Sequence, residues 1–321
     1  MKGDKEKMRK KRLLKVTAVM AIIFAMAFGL MACKDKETSK KSDTSSKTVT
    51  AMMSGDLKPE SADTVDTSMS VIKFYELVYD PLVRYGENGK IEPALAESYE
   101  ISEDGTVYTF KLRKGVKFSN GEDFNADNVL FNTDRWNEKV RSNFSAKLLD
   151  VKKIDDYTVQ FTFDKAAYPI LIEFTYPRPF RMLAKASIDS NGKFKEPIGT
   201  GQWMVKNYKS GSEVTLVPNP NYWGKKPSFD KLVIKEVKDG QARTMALQSK
   251  EADLSLADIP AEDTKKIEED KDLATLKEES TQSFFLGINY ETEALKDVKV
   301  RQALNYATNK KSMVKELINN A

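Results

Sequence analysis

The two side chains most often used for catalysis and metal binding are nearly missing from this sequence. Its 321 residues include no histidine and a single cysteine, Cys33. Histidine is the commonest general base and metal ligand, and the cysteine thiolate is a strong nucleophile. Carboxylates are plentiful, but in a chain with 31% charged residues an acidic pair is more often surface charge. A hydrolase would need a nucleophile or paired acids that we do not find here.

Cys33 lies where a basic head and an apolar run end. Residues 1–32 carry eight basic and two acidic side chains, and no residue from Val16 to Ala32 is charged. This pattern is typical of a secretory signal peptide, slightly short for a spanning helix and ending in small residues suited to cleavage. Leu30-Met31-Ala32-Cys33 resembles the bacterial lipobox, in which the cysteine is diacylated after cleavage, and two acyl chains anchor a protein stably. The alternative is a single membrane anchor with an incidental cysteine.

Removing residues 1–32 changes the charge of the chain. The 52 basic and 48 acidic residues of the whole sequence become 44 and 46, about −2. Such a balance gives no electrostatic case for nucleic-acid binding. Residues 34–48 are mostly Lys, Ser, Thr and Asp, the composition of a solvated tether. Without a second cysteine a disulfide framework is excluded, so the fold needs a hydrophobic core.

Strand and helix signals alternate irregularly along the rest of the chain. Runs rich in β-branched and aromatic residues predict strands, and helical spacing with polar caps predicts helices. The predicted strands lie near residues 49–53, 106–112, 157–163, 213–217, 232–237, 254–256 and 284–289. The predicted helices lie over residues 70–79, 126–131 with Asn125 as the cap, 240–249 and 300–318. This order predicts α/β lobes with mixed sheets and not a regular doubly wound domain.

Gly199-Thr200-Gly201 is the glycine pattern closest to a phosphate-binding loop. It has no following Gly-Lys-Ser/Thr and lacks the full dinucleotide-binding fingerprint. We therefore interpret it as a tight turn where two backbone segments pack closely.

Several motifs together carry a resemblance to a known family. They are FSNGEDF at 118–124, the segment from Tyr168-Pro169 through PRPFR at 177–181, PIGTG at 197–201 and NPNYWG at 219–224. From about Val49 to Asn319 the chain resembles the family 5 extracellular solute-binding proteins, the receptors of peptide, nickel and opine ABC importers. The PRPFR segment is similar to the nickel-binding branch.

The resemblance implies a periplasmic-binding-protein-like fold of two lobes that close on a ligand, with a small domain inserted in the first lobe. The division that it implies is a lipoprotein signal peptide at 1–32, the lipidated cysteine and tether at 33–48, lobe I at 49–85 and 194–288, the insert at 86–193, and the start of lobe II at 289–321. Family members run on for well over a hundred residues more. We therefore expect most of the second lobe to be missing from this chain.

The resemblance also implies which residues bind the ligand. In the nickel-binding branch the metal is carried by a small carboxylate chelate, and the arginine that matches Arg178 grips its carboxylates with a planar fork. A second arginine precedes an aromatic residue that stacks on the chelate, and Arg141 and Phe144 match that spacing, although the family has tryptophan where this chain has phenylalanine. The alternatives are an Arg178 paired with an internal acid, a surface Arg141 and a core Phe144.

Four nearby side chains have structural interpretations. We expect Arg181 to be a structural or rim arginine, Trp136 to be core or rim, and Tyr222 and Trp223 to be structural loop aromatics.

The predicted function is that of a receptor anchored by its lipid on the extracytoplasmic face of the cell membrane. It would capture a nickel or other metal chelate and deliver it to an ABC permease, as a monomer, without nucleic acid, enzymatic activity or a resident cofactor. No protein metal ligands are predicted, because the chelator would supply them. An oligopeptide or dipeptide receptor is the alternative within this class. A cell-surface hydrolase, an adhesin or a chaperone lipoprotein is the alternative outside it.

Overall fold

The computed structural model describes residues 47–65, 72–177, 179–276, 285 and 287–317, without the side chains of residues 139 and 315–317. The strands within these residues are β1 (Thr48–Met53), β2 (Val83–Tyr85), β3 (Ile91–Pro93), β4 (Ala96–Ile101), β5 (Val107–Leu112), β6 (Leu148–Asp155), β7 (Thr158–Phe163), β8 (Trp203–Lys209), β9 (Glu213–Pro218), β10 (Lys231–Glu236) and β11 (Leu254–Ser255). The helices are α1 (Ile72–Val78), α2 (Ala126–Asp134), α3 (Glu138–Arg141), α4 (Ile170–Glu173), α5 (Gly240–Gln248), α6 (Ala261–Glu269), α7 (Glu293–Lys296), α8 (Val298–Ala307) and α9 (Lys310–Leu317).

The first sheet is mixed and has the strand order β11-β1-β10-β9-β8. Strand β1 runs parallel to β10 and β11, whereas β10, β9 and β8 are antiparallel neighbours. The second half of β1, Ala51 to Met53, is entirely apolar and buried. A continuous apolar run of this kind suits a central strand that is covered on both faces. The prediction of an α/β fold with mixed sheets is confirmed.

The second sheet is antiparallel and has the order β4-β5-β7-β6. Tyr108, Phe110 and Leu112 of β5 are buried, while the residues between them are not. Side chains alternate between the faces of a strand, so one face of the sheet carries these large side chains into the core. Tyr108 lies opposite Phe161 of β7, which extends the aromatic face across the sheet. A two-stranded ribbon of β2 and β3 precedes this sheet in the sequence.

Local capping signals explain where helix α2 begins. The Asn125 side chain accepts a hydrogen bond from the backbone N–H of Asp127, at 3.0 Å. The Asn128 side chain in turn accepts one from the backbone N–H of Asn125, also at 3.0 Å. This reciprocal pair satisfies two donors that a helix start leaves open. The predicted Asn125 cap is confirmed, and helix α1 ends at Val78, ahead of Pro81, also as predicted.

Two predicted elements near the end of the chain are wrong. A strand is predicted at 284–289, but residues 285 and 287–289 are not in a strand. Phe285, predicted to be buried there, is 87% exposed. Residues 284 and 286 lie outside the described part. Asn289 instead begins a turn, in which its side chain accepts from Glu291 N. The single helix predicted over 300–318 is two helices, α8 and α9, because the Asn309 side chain accepts from Ser312 N and caps a new helix.

The glycines of Gly199-Thr200-Gly201 permit a close approach of two backbone segments. Gly201 N–H donates to the Val78 carbonyl at 2.9 Å. A Cβ built on Gly201 would lie 2.5 Å from the Val78 carbonyl carbon and 2.8 Å from the Leu77 oxygen. Real Cβ atoms do not come this close to backbone, so only glycine fits here. The interpretation as a tightly packed turn is confirmed.

In the sequence, strand β1 of the first sheet precedes the second sheet, and the other four strands of the first sheet follow it. The boundaries of lobe and insert at residues 86 and 193 stay predictions, as does a second lobe from residue 289. The predicted signal peptide at 1–32 lies outside the described residues, as does most of the tether. None of the helices in the described ranges is long and apolar enough to cross a bilayer.

Candidate functional site

Arg141 and Phe144 lie on a short segment that links α2 to β6. The Asn137 side chain caps α3 by accepting from Val140 N at 3.0 Å. After α3 the Asn143 side-chain amide donates to the Val140 carbonyl at 2.7 Å, which turns the chain back. The segment 137–145 is thus fixed by its own polar side chains, as expected for a connection rich in asparagine and serine.

The Arg141 side chain is held by one of its three nitrogens. Its Nε donates to the backbone carbonyl of Trp136 at 3.0 Å, and the side chain is half-buried. No ion pair and no further side-chain hydrogen bond of Arg141 is found within the described part of the chain. Among the described residues the two terminal nitrogens thus have no partner, and a guanidinium in this state has the donors needed to bind a carboxylate as a fork.

Phe144 joins an aromatic cluster below Arg141. Its ring centroid lies 4.7 Å from that of Phe180, 5.0 Å from those of Phe163 and Phe174, and 6.1 Å from that of Trp136. Such tilted and edge-to-face pairs are the preferred aromatic arrangements. Phe144 is only 6% exposed, so it offers a small part of its surface to a ligand. Trp136 is buried in the same cluster, in agreement with its expected core position.

Arg141 and Phe144 line one cavity of about 500 Å³. Its other lining residues are Glu138, Ser142, Ser145, Ala146, Lys147, Leu148, Asp164 and Lys165. Three cationic and two acidic side chains therefore surround it. A second cavity of about 430 Å³, beside Tyr108 and Tyr168, has no charged lining residue. Of these two cavities, only the first has the chemistry to orient a small charged ligand.

The two other predicted site residues, Arg178 and Cys33, lie outside the described residues. The described neighbours of Arg178 nevertheless lie close to the Arg141 cavity. Phe180, two residues further along, makes the 4.7 Å contact with Phe144 and a 5.3 Å contact with Trp136. The sequence around Arg178 is therefore brought next to the segment that carries Arg141, although 37 positions separate these two arginines.

Arg181 is buried within the protein and is 7% exposed. Its Nη1 lies 3.5 Å from the Thr175 carbonyl, and its backbone pairs with Pro81. Burial lowers the pKa of Arg181, against the nearby charges of Glu76 and Asp80, which raise it. These contacts agree with the structural role expected for this arginine.

Asp80 joins two motifs that are far from it and from each other in the sequence, PIGTG and NPNYWG. Its Oδ2 accepts from the Thr200 hydroxyl and from the Trp223 indole N–H, both at 2.9 Å. The Arg113 guanidinium lies 4.6 Å from the centre of the Trp223 ring. Burial raises the pKa of Asp80, although the Trp223 and Thr200 hydrogen bonds and the Arg181 charge oppose this. Trp223 is therefore a structural loop aromatic, as predicted.

Sequence reasoning missed Glu173, which lies in α4 beside Phe174. Its carboxylate accepts from Ser145 N and from the Ser145 hydroxyl, although the side chain is only 5% exposed. A single acid inside the apolar run Ile170 to Phe174 was the available signal, because a buried acid requires partners.

No group of three or more acids or cysteines that could hold a metal ion is found in the described residues.

A mixed sheet and an antiparallel one, with a charged cavity beside the second sheet, agree with the fold expected for a protein that binds a small solute. The sequence model of the bacterial extracellular solute-binding proteins, family 5 Middle, matches residues 90–321. The chain belongs to this family, and its members are binding proteins and not enzymes.

Relatives in the family are named for different ligands. The chain is 34% identical to a nickel-binding periplasmic protein of Escherichia coli over 249 residues, which is 74% of the chain and 47% of that protein. It is 32% identical to a dipeptide-binding protein of the same organism, over 72% of the chain and 48% of that protein. It is 34% identical to heme-binding protein A of Haemophilus influenzae, over 76% and 50%. The chain thus spans about half the length of these relatives.

Solved structures similar to this chain also hold different ligands. NikZ of Campylobacter jejuni in complex with Ni(L-His) matches with a TM-score of 0.71 and 28% identity, over 85% of this chain and 55% of that one. The binding protein DppA of Helicobacter pylori in complex with the peptide STSA matches with a TM-score of 0.72 and 26% identity, over 85% and 58%. Both have the periplasmic-binding fold, so overall shape does not distinguish a chelate from a peptide.

Proposed function

We propose that this chain belongs to the capture component of an ABC importer and that its cargo is nickel, or another metal, held by a small carboxylate chelator. The observation that carries this proposal is Arg141, a half-buried arginine whose Nε is fixed on the Trp136 carbonyl while its terminal nitrogens have no partner in the described residues. A guanidinium stays charged at every physiological pH and matches a carboxylate in bidentate geometry. A chelate with free carboxylate oxygens suits such a donor.

Arg178 is proposed as a second carboxylate donor at the same ligand. Its motif resembles the nickel-binding branch, and the contact of Phe180 with Phe144 brings the two segments together. Phe144 would contact the chelate through the small part of its ring that is exposed. The metal itself would be bound by its chelator, which supplies nitrogen and oxygen donors suited to a divalent transition metal.

A peptide is the second candidate cargo, supported by the likeness to DppA in complex with a peptide and to a dipeptide-binding protein. The Arg141 cavity also contains Glu138 and Asp164, which could pair with a peptide amino group. Peptide receptors draw affinity from backbone pairing along an extended ligand. A compact site with free arginine donors favours the chelate.

Cys33 is proposed as the site of lipid attachment. The basic head, the uncharged run and the lipobox resemblance support cleavage before this residue and diacylation of its sulfur. The protein would then be a monomer on the extracytoplasmic face of the membrane, where it could meet its permease.

Thermal shift and calorimetry on the full-length protein lacking residues 1–33 test the cargo. Four ligands are compared: nickel with free histidine, nickel alone, heme, and a mixed set of tri- to pentapeptides. We expect stabilisation by nickel with histidine and little by nickel alone. Stabilisation by peptides alone would replace the chelate proposal with the peptide receptor, and a response to none of the four would refute both.

A further inference from the structure

Glu173 is a buried acid whose partners are neutral. Its two carboxylate oxygens accept from Ser145 N at 3.0 and 3.2 Å, and one of them also accepts from the Ser145 hydroxyl. Both oxygens of Glu173 are thus used as acceptors by the same residue. No lysine or arginine forms a salt bridge with Glu173 in the described part of the chain. A buried acid without a basic partner is costly, so its place in this apolar run calls for an explanation.

The position of Ser145 suggests that explanation. Ser145 follows Phe144 directly, and both line the Arg141 cavity. Phe174, the residue after Glu173, packs its ring 5.0 Å from that of Phe144. Residues 173–174, at the end of helix α4, therefore hold this part of the chain twice, by the Glu173 hydrogen bonds and by an aromatic contact.

The other end of the same segment is held independently. Asn137 caps α3, and Arg141 Nε is bonded to the Trp136 carbonyl. Between these anchors and Ser145 lie Ser142 and Asn143, which are exposed. A segment that is fixed at both ends and exposed in the middle presents its side chains in one orientation, which lowers the entropy lost when a ligand binds.

Glu173 also affects the ionisation of Tyr108. Burial, and after it the Glu173 charge, raises the pKa of Tyr108 on the neighbouring strand β5.

We propose that Glu173 is a positioning residue of the Arg141 site: through Ser145 it fixes the orientation in which Arg141 and Phe144 meet a bound ligand. This inference rests on the proposed function in placing the ligand at Arg141, but it does not depend on whether that ligand is a chelate or a peptide. The competing explanation is an acid that stabilises the fold and has no effect on the site.

The test uses Glu173→Gln in the full-length protein. Glutamine keeps the size of the side chain but replaces one acceptor oxygen by a donor NH₂, so the Ser145 N–H keeps at most one of its two acceptor oxygens and the side chain can no longer carry a charge. Asp155→Asn is the matched control. Asp155 also accepts from a backbone N–H, that of Tyr157, and from a hydroxyl, that of Thr158, but it lies at the end of β6 outside the cavity lining.

Affinity for nickel with histidine is measured by calorimetry, together with the melting temperature and the hydrogen-exchange rate of the Ser145 amide. If wild-type protein binds the peptide set instead, the same comparison is made with a peptide. We expect Glu173→Gln to weaken ligand binding about tenfold and to accelerate exchange at Ser145. We expect Asp155→Asn to lower the melting temperature while affinity stays within about twofold.

The outcomes separate the two proposals. Peptide binding in place of chelate binding refutes the proposed cargo and leaves Glu173 testable. Wild-type binding with unchanged affinity in a folded Glu173→Gln protein overturns the positioning role, and so does a wild-type protein that binds neither ligand. If Glu173→Gln does not fold, Ser145→Ala removes the hydroxyl donor only, and an affinity loss of about threefold is expected; unchanged affinity then overturns the proposal.

Discussion

Replacing Arg141 should weaken chelate binding by an amount that its environment sets. A hydrogen bond to a charged group contributes about 1.5–3 kcal/mol when its partner is desolvated. Arg141 is half-buried, and solvent screens a half-exposed pair, so the lower part of this range applies. Arg141→Ala should therefore cost about 1.5–2 kcal/mol, a loss of roughly ten- to thirtyfold in affinity.

Arg141→Lys separates charge from geometry. Lysine keeps the positive charge but loses the planar fork and the Nε hydrogen bond to the Trp136 carbonyl. We expect an intermediate loss of about 1 kcal/mol, roughly fivefold. A loss as large as that of the alanine variant would mean that the fork, and not the charge, carries the interaction.

The assay is calorimetric titration of the full-length protein with nickel and histidine at pH 7, at low and at moderate salt. Arg113→Ala is the matched control, because Arg113 is also half-buried and donates its Nε to a backbone carbonyl, that of Ala94 at 3.2 Å. Its guanidinium lies over Trp223 and not in the cavity. We expect the control to lower the melting temperature and leave affinity unchanged.

A direct role of Arg141 is refuted if Arg141→Ala binds the chelate within twofold of wild type while the protein remains folded. Arg141 would then be a surface arginine, the alternative that the sequence left open. A loss that appears equally in Arg113→Ala would indicate a general effect on folding and would contradict a direct role for Arg141.

Three further predictions concern the scaffold. In denaturant titrations, Gly201→Ala should lower the unfolding free energy by about 3 kcal/mol or more, because its Cβ would meet backbone atoms of helix α1. Gly55→Ala is the control: its Cβ would enter open space, so the unfolding free energy should change by less than about 1 kcal/mol. Burial, with the hydrogen bond to Asp56, raises the pKa of Tyr208 to about 12, so absorbance titration at alkaline pH should lose a transition near pH 12 in Tyr208→Phe. Burial raises the pKa of Asp80, so the native state binds this proton more tightly than the unfolded state does. The contribution of Asp80 to stability therefore falls as pH rises from about 4 through the folded-state pKa. The unfolding free energy of wild type minus that of Asp80→Asn should decrease between pH 4 and pH 7, and an increase would contradict the raised pKa.

Elements that depend on neighbours in the sequence could be predicted from it. Strand β5 alternates large apolar and polar residues over six positions, and Asn125 lies at the start of a helical pattern. In both cases the determining interactions span a few residues. The break between α8 and α9 is also local, since Asn309 caps the second helix, but apolar spacing continues across it and hides the cap.

Contacts between distant segments could not be predicted in the same way. Glu173 and Ser145 are 28 positions apart, and Asp80 and Trp223 are 143 apart. In neither pair does a charge pattern or a spacing in the sequence identify one residue as the partner of the other. Each pair is brought together only by the packing of complete elements. Arg141 and Phe144 became candidates through resemblance to a family, whereas the sequence could not show that the terminal nitrogens of Arg141 have no partner among the described residues.

The motifs that identify the family determine its scaffold more than its cargo. Gly201 packs on the end of α1, and Thr200 and Trp223 both donate to Asp80, so the two most recognisable motifs meet at a junction within the fold. Because proteins similar to this chain are named for nickel, dipeptide and heme, the shared scaffold gives little information about the ligand. Cargo must instead depend on the few side chains that face the cavity and on those that orient them. Substitutions at Arg141 and Glu173 should accordingly change what the protein binds, whereas substitutions at Asp80 or Gly201 should change whether it folds.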